Sequence, residues 1–114
     1  MRDALSLFNK KTVLLEKQDF TIGEFDITVD GAYRNIVTFP MKVKKGRKVF
    51  VSVTSDNGVD VSVVDVNGMN AKYSASVKEA TIGPVPARES GTMALVFGVY
   101  RGDLAHVTVE AWME

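Results

Sequence analysis

The sequence predicts an all-β protein, an antiparallel β-sandwich of eight or nine strands and of jelly-roll type. Two observations carry that prediction. Apolar and polar residues alternate at period two through most of the 114 residues, and glycine- and asparagine-containing dipeptides punctuate the alternation. Turn signals recur at intervals of roughly 8–12 residues, the spacing of a sandwich or barrel rather than of a βαβ fold.

Residues 1–10 are expected to be a separate N-terminal segment, with Leu5 and Phe8 at helical spacing in a short helix over 2–9. Residues 11–114 are expected to be one sandwich domain, with strands at about 12–16, 20–29, 33–43, 48–55, 59–66, 71–77, 79–85, 92–100 and 105–113. Near Gly23 the apolar parity shifts from Phe20 and Ile22 to Phe25, Ile27 and Val29, which signals a bulge or a bend between sheets. Val37, Phe39, Met41 and Val43 share one face of the third segment. Pro40 confines it to a sheet edge or a bulge, because proline donates no ladder hydrogen bond. Val49, Val51 and Val53 form the next apolar row, and Val59, Val61 and Val63 another. Met93, Leu95, Phe97 and Val99 align in the eighth strand, and Ala105, Val107, Val109, Ala111 and Met113 in the last. Asp30-Gly31, Lys45-Gly46, Asn57-Gly58, Asn67-Gly68 and Gly102-Asp103 supply the turns between them, since each accepts positive φ. The Asp56-Asn57-Gly58 stretch is therefore predicted as the tip of a hairpin joining 48–55 to 59–66.

Composition narrows the function. Lys plus Arg equals Asp plus Glu at fourteen each, so no global field draws the chain to nucleic acid or acidic lipid. The chain has no cysteine, which removes disulfides, thiolate nucleophiles and soft-metal sites. No apolar run reaches signal-peptide or membrane-helix length. Membrane insertion is not expected, and the location is expected to be cytoplasmic unless the chain is an excised extracytoplasmic domain.

Asp56, Asp60 and Asp65 are the candidate metal ligands. EF-hand spacing fails: the third position from Asp56 is Gly58, and the sixth from Asp65 is Asn70. Asp56 and Asp65 would also cap opposite ends of the predicted 59–66 strand, too far apart at about 3.3 Å per residue to share one ion. These residues are read as turn chemistry, and no metal or cofactor is implied. Lys42, Lys44, Lys45, Arg47 and Lys48 cluster around Gly46, either as an anion patch or as charges that keep a sheet edge soluble. No aromatic residue interleaves with them to stack bases, so nucleic acid is not a predicted partner. Arg101-Gly102-Asp103 matches an adhesive tripeptide but is equally ordinary turn sequence. His106, the single histidine, falls on the polar face of its strand without a positioned nucleophile, and no catalytic residue is assigned. Trp112 and Tyr100 lie opposite the main apolar parity of their strands. Trp112 paired with Tyr33, Tyr73 or Tyr100 would make a sugar-stacking platform.

Two longer stretches, FPMKVKKGRKVFVSVTSDNGVDVSVVDVNG and VPARESGTMALVFGVYRGDLAHVTVEA, resemble the Golgi-dynamics (GOLD) domain and its prokaryotic relatives over about residues 33–111. The bacterial pre-peptidase C-terminal domain reads similarly and is the near alternative. Met93 stands where such domains commonly carry an aromatic residue, and the cysteine pair, coiled coil and membrane helix of the eukaryotic cargo receptors are missing. The resemblance implies a compact β-sandwich without catalysis. The expected function is thus a non-catalytic protein-interaction or accessory module with a protein partner. The alternatives are a carbohydrate-binding module and a calcium-stabilised accessory domain.

Overall fold

The computed structural model describes residues 11–23, 35–100 and 102–114. These residues form six strands: β1 (Thr12–Gly23), β2 (Ile36–Val43), β3 (Lys48–Val64), β4 (Asn70–Pro86), β5 (Gly91–Gly98) and β6 (Leu104–Met113). Every pairing is antiparallel, in the order β1-β6-β3-β5-β2, with β4 on the other side of β3. The helix expected over 2–9 and the residues 24–34 of the expected second and third strands lie outside the described residues. No helix long and apolar enough to cross a membrane occurs among those described.

Among the described residues the strands are fewer and longer than the expected eight or nine. The predicted strands 48–55 and 59–66 are one 17-residue strand, 71–77 and 79–85 are another, and 12–16 runs on into the start of 20–29 as β1. Asp56-Asn57-Gly58 is not a hairpin tip, and neither Asn57 nor Gly58 has positive φ. Bulges replace the expected turns. Between the pairs Thr54↔Glu79 and Val59↔Val77, β3 advances five residues while β4 advances two. This surplus falls where β3 changes partner on its other edge, from β6 at Val49–Ser55 to β5 at Asp60–Val64. Ser76, at φ 52, sits in the matching β4 irregularity opposite Val59 and Val61. The real β3–β4 turn lies at Asp65–Met69. There the Asp65 N–H donates to the Met69 carbonyl (2.7 Å), and Gly68 takes φ 87.

Burial follows strand parity. Val49, Val51 and Val53 before the bulge and Val59, Val61 and Val63 after it all lie inside, with Leu95, Phe97, Val107 and Val109 facing them. Val37 and Phe39, expected in the core, are only half-buried because β2 is the last strand of the sheet. Pro40 is on that strand, paired with Ala94. Phe20 of β1, Phe39 of β2 and Phe97 of β5 meet edge-to-face with ring centroids 5.1 to 6.1 Å apart. This triad draws the two ends of the sheet together, so the sheet curls into a nearly closed barrel. At Gly23, where β1 ends beside the start of β6, a Cβ would lie 2.0 Å from the Asp103 carbonyl oxygen.

Two substitutions test this packing in chemical denaturation. Phe97→Ala is expected to cost about 3–5 kcal/mol, because it empties the centre of the aromatic triad. Gly58→Val is expected to cost about 1–3 kcal/mol. The cause is crowding rather than positive φ, since a Cβ at Gly58 would already lie 3.2 Å from Ser76 Cα. A neutral Gly58→Val would contradict the close approach of β3 and β4 at the bulge.

Candidate functional site

The bulge in β3 explains the residues that suggested a calcium loop. Where β3 leaves β6 for β5, ordinary ladder bonds lapse, and side chains supply replacements. Asp56 Oδ1 accepts the His106 backbone N–H at 2.8 Å, and Asn57 Nδ2 donates to the Leu104 carbonyl at 3.1 Å. Ser55 Oγ donates to the Asn57 carbonyl at 2.5 Å. Asp65 instead begins the β3–β4 turn. Among the described residues, no three acidic, histidine or cysteine side chains converge as metal ligands. His106 Nδ1 lies 3.1 Å from Thr21 Oγ1 and its Nε2 is 4.0 Å from Asp56 Oδ2, all at the surface. The histidine belongs to this strand-to-strand stitching.

The basic stretch does not converge either. Lys44–Arg47 is a turn, with Gly46 at φ 89 and the Arg47 N–H donating to the Lys44 carbonyl. Lys44 and Lys45 are exposed there, while Arg47 is half-buried, its Nη2 3.4 Å from Thr12 Oγ1 and from the Met113 carbonyl. Arg47 therefore joins the ends of β1 and β6 and does not extend a patch with the lysines. In the tripeptide at 101–103, Arg101 lies outside the described residues, and the Asp103 N–H closes a turn onto the Tyr100 carbonyl at 3.0 Å.

Trp112 is the partner of Phe50 rather than of a tyrosine. The two sit opposite each other on β6 and β3, with ring centroids 5.8 Å apart and planes 12° from parallel. Lys11 Nζ lies 4.2 Å from the Trp112 ring, and the indole N–H donates to Glu114 at 2.9 Å. Both rings are half-buried, and the ladder continues past them, with Lys48 and Glu114 exchanging backbone bonds. This cluster fastens the end of β6 to β3. Tyr33 lies outside the described residues, and neither Tyr73 nor Tyr100 stacks on Trp112.

A second arrangement has the open geometry of a binding site. Even-numbered residues of β3 face outward, which places Asp60 on the outer surface directly opposite Gly98 of β5. Glycine leaves the space beside the carboxylate empty, since a Cβ at Gly98 would find nothing nearer than 3.9 Å. The resulting cleft of about 210 Å³ is bounded by Asn57, Gly58, Asp60, Ser76, Lys78, Gly98, Val99, Tyr100 and Asp103. The half-buried Asp60 accepts the Ser76 N–H at 3.0 Å, and the Tyr73 phenol lies close enough to feel its charge. Tyr100, 76% exposed, lines the cleft, and Tyr73, 53% exposed, lies near Asp60 outside that lining.

The Tyr73 phenol is raised above its ordinary 10.0, first by desolvation against its neighbours, then by the Asp60 charge and hydrogen bond, and last by Tyr100. A raised folded-state value favours the fold while the phenol keeps its proton. That contribution is present below pH about 10 and is lost as the pH rises through the shifted value.

Of the residues singled out from sequence, Asp60 and Tyr100 meet in this cleft, with Tyr73 beside them. Trp112, Lys44, Lys45, Arg47, Asp56 and Asp65 do not line it. Gly98, Ser76 and Lys78 were not anticipated. Outward parity could have flagged Asp60 and Gly98 individually, but only the β3–β5 register puts them side by side.

No protein-family profile matches the chain, and no curated protein does. Solved structures do. One is a carbohydrate-binding module CBM36 in complex with calcium and xylotriose: 15% identical, covering 92% of this chain and 99% of that one, TM-score 0.47. Another is the CBM36-1 domain of a multidomain xylanase from the hindgut metagenome of Trinervitermes trinervoides: 15% identical, covering 92% and 97%, TM-score 0.49. At this identity no residue role passes from either to this chain. Both of those chains are carbohydrate-binding modules, in contrast to the protein-interaction module expected from sequence, and a protein partner is not taken further.

The cleft makes a prediction of its own. Asp60→Asn is expected to move the Tyr73 pKa down toward its ordinary value, read from the tyrosine ring carbons in an NMR pH titration. An unchanged Tyr73 titration would show that the two side chains do not meet.

Proposed function

We propose that this chain is a non-catalytic carbohydrate-binding module, a β-sandwich of jelly-roll type whose Asp60–Gly98 cleft holds one sugar residue of a longer glycan. The observation that supports it is Asp60 itself. It is a half-buried carboxylate opposite Gly98, with the exposed Tyr100 in the same cleft and the exposed Tyr73 nearby.

A pyranose has an apolar C–H face and a rim of hydroxyl groups. Exposed phenol rings offer flat area of matching polarity, each with a hydroxyl at its edge. A carboxylate has about four acceptor positions. The Ser76 amide occupies one at Asp60, which leaves acceptor positions for neighbouring sugar hydroxyls. Asn57, Lys78 and Asp103 add donors and acceptors at the rim. Sites for drug-sized ligands run to about 300–1,000 Å³. A cleft of about 210 Å³ suits a single ring, and its open sides let a chain continue in either direction.

The same residues argue against hydrolysis. A glycosidase keeps one carboxyl protonated by apolar burial beside an ionised partner. Asp60 is bonded to a donor, and Asp103 is exposed.

Calorimetric titration with soluble oligosaccharides tests the reading. Binding is expected in the wild type. Tyr100→Ala is expected to weaken it about tenfold, and Gly98→Val to abolish it by filling the gap. Both residues lie outside the core, so the melting temperature should hardly move. Undiminished binding by the Gly98→Val protein, or no binding to any glycan, would reject this site.

A further inference from the structure

We infer that a second saccharide site lies between the two ends of β4, where a neutral oligosaccharide covers an apolar floor ringed by polar side chains. This rests on the carbohydrate reading above and adds a site to it.

Asn70 and Ala71 at the start of β4 and Val85 and Pro86 at its end line one cleft of about 580 Å³. A straight strand would hold those ends roughly 50 Å apart at about 3.3 Å per residue, so the β3–β4 ribbon folds back on itself. The cleft is the gap left between its two arms. It is larger than the Asp60–Gly98 cleft and falls in the range of about 300–1,000 Å³ usual for ligand sites. Two contacts fix the wall formed by the β3–β4 turn. The Asp65 N–H donates to the Met69 carbonyl at 2.7 Å, and Val66 is seated on the backbone of Gly91, where a Cβ would lie 2.8 Å from Val66 Cγ1.

Val66, Met69, Val85 and Pro86 supply apolar area for the C–H face of a sugar ring, and Met69 is 66% exposed. Polar groups of both kinds surround them. Asn67 Oδ1 accepts the Met69 N–H at 3.2 Å, which leaves its side-chain NH₂ to donate. Asn70 and Arg88 add donors, and Asp65 and Glu89 add acceptors. A hydroxyl group donates and accepts at once, so a ligand rich in hydroxyls uses both kinds. An ion of either sign meets a like charge here, from Arg88 or from the carboxylates. An exposed strand edge can also take up a peptide strand. Pro84 and Pro86 offer no N–H on one arm of β4, and Lys72 stands exposed on the other, both of which discourage such pairing.

The test is a backbone-amide NMR titration of the chain with hexaoses of xylose, glucose and galacturonate, and with a casein peptide digest. The neutral hexaoses are expected to shift two separate sets of amides, one around Asp60 and Gly98 and one over Asp65–Ala71 with Arg88 and Glu89. Gly98→Val is expected to silence the first set alone. The double variant Asn70→Ala/Arg88→Ala is expected to weaken binding at the second set about tenfold or more and leave the first unchanged. Both residues are exposed, so the fold should be unaffected.

Shifts confined to the Asp60–Gly98 cleft would overturn this inference and leave the carbohydrate site standing. Undiminished binding at the second set in the double variant would also overturn it, as would tighter binding there of the galacturonate hexaose. Shifts there with the peptide digest but with no hexaose would overturn it in favour of a peptide groove. No shift at either cleft with any hexaose would reject the carbohydrate reading and this inference together.

Discussion

The rest of the structure depends on β3 running unbroken through Asp56, Asn57 and Gly58. Its 17 residues pair on one side with β4 both before and after the bulge, and on the other with β6 and then with β5. A strand that changes partner must cross a gap where neither partner supplies ladder bonds, and unpaired buried backbone groups are costly. Asp56 and Asn57 bridge that gap with side-chain bonds to His106 and Leu104. Gly58 has no side chain, so β3 can pass 3.2 Å from Ser76 Cα on the other side, measured from where its Cβ would be.

The candidate site follows from the same crossing. β5 ends at Gly98 opposite Asp60, just beyond the crossing point, and the chain leaves the sheet through Tyr100 to Asp103 before β6 begins. A surface recess is the natural result where two strands end alongside a third. Its walls come from the bulge (Asn57, Gly58), from the β4 irregularity (Ser76, Lys78) and from the β5–β6 connection (Tyr100, Asp103). The paired strands hold Asp60, Ser76 and Gly98 in place, and a preorganised site binds a ligand at lower entropy cost.

Much of the fold was legible from periodicity. The valine rows of β3 and the alternating rows of β5 and β6 identified the buried face correctly, and Asn67-Gly68 marked a real turn. The strand count was not legible, for a physical reason. A three-residue hairpin tip and an uninterrupted strand both keep Val53 and Val59 on one parity, so the pattern cannot separate them. Asn-Gly tipped the reading toward a turn, although here asparagine serves as a donor to another strand and glycine as clearance. The site was half legible. Asp60 and Tyr100 drew attention by residue type, but Gly98 carries no chemistry and acquires its role only from the long-range register. Trp112 drew attention for its size and proved to be a fastener between β6 and β3.

Cross-strand nuclear Overhauser contacts between backbone protons test the central claim most directly. A continuous β3 predicts contacts of Asp60 with Gly98, of Val61 with Phe97 and of Thr54 with Thr108, and none linking Val53 to Val61 across a tip. Contacts between Val53 and Val61, with no Asp60–Gly98 contact, would show a hairpin at Asp56-Asn57-Gly58. The partner exchange, the recess and the site built in it would then all be wrong.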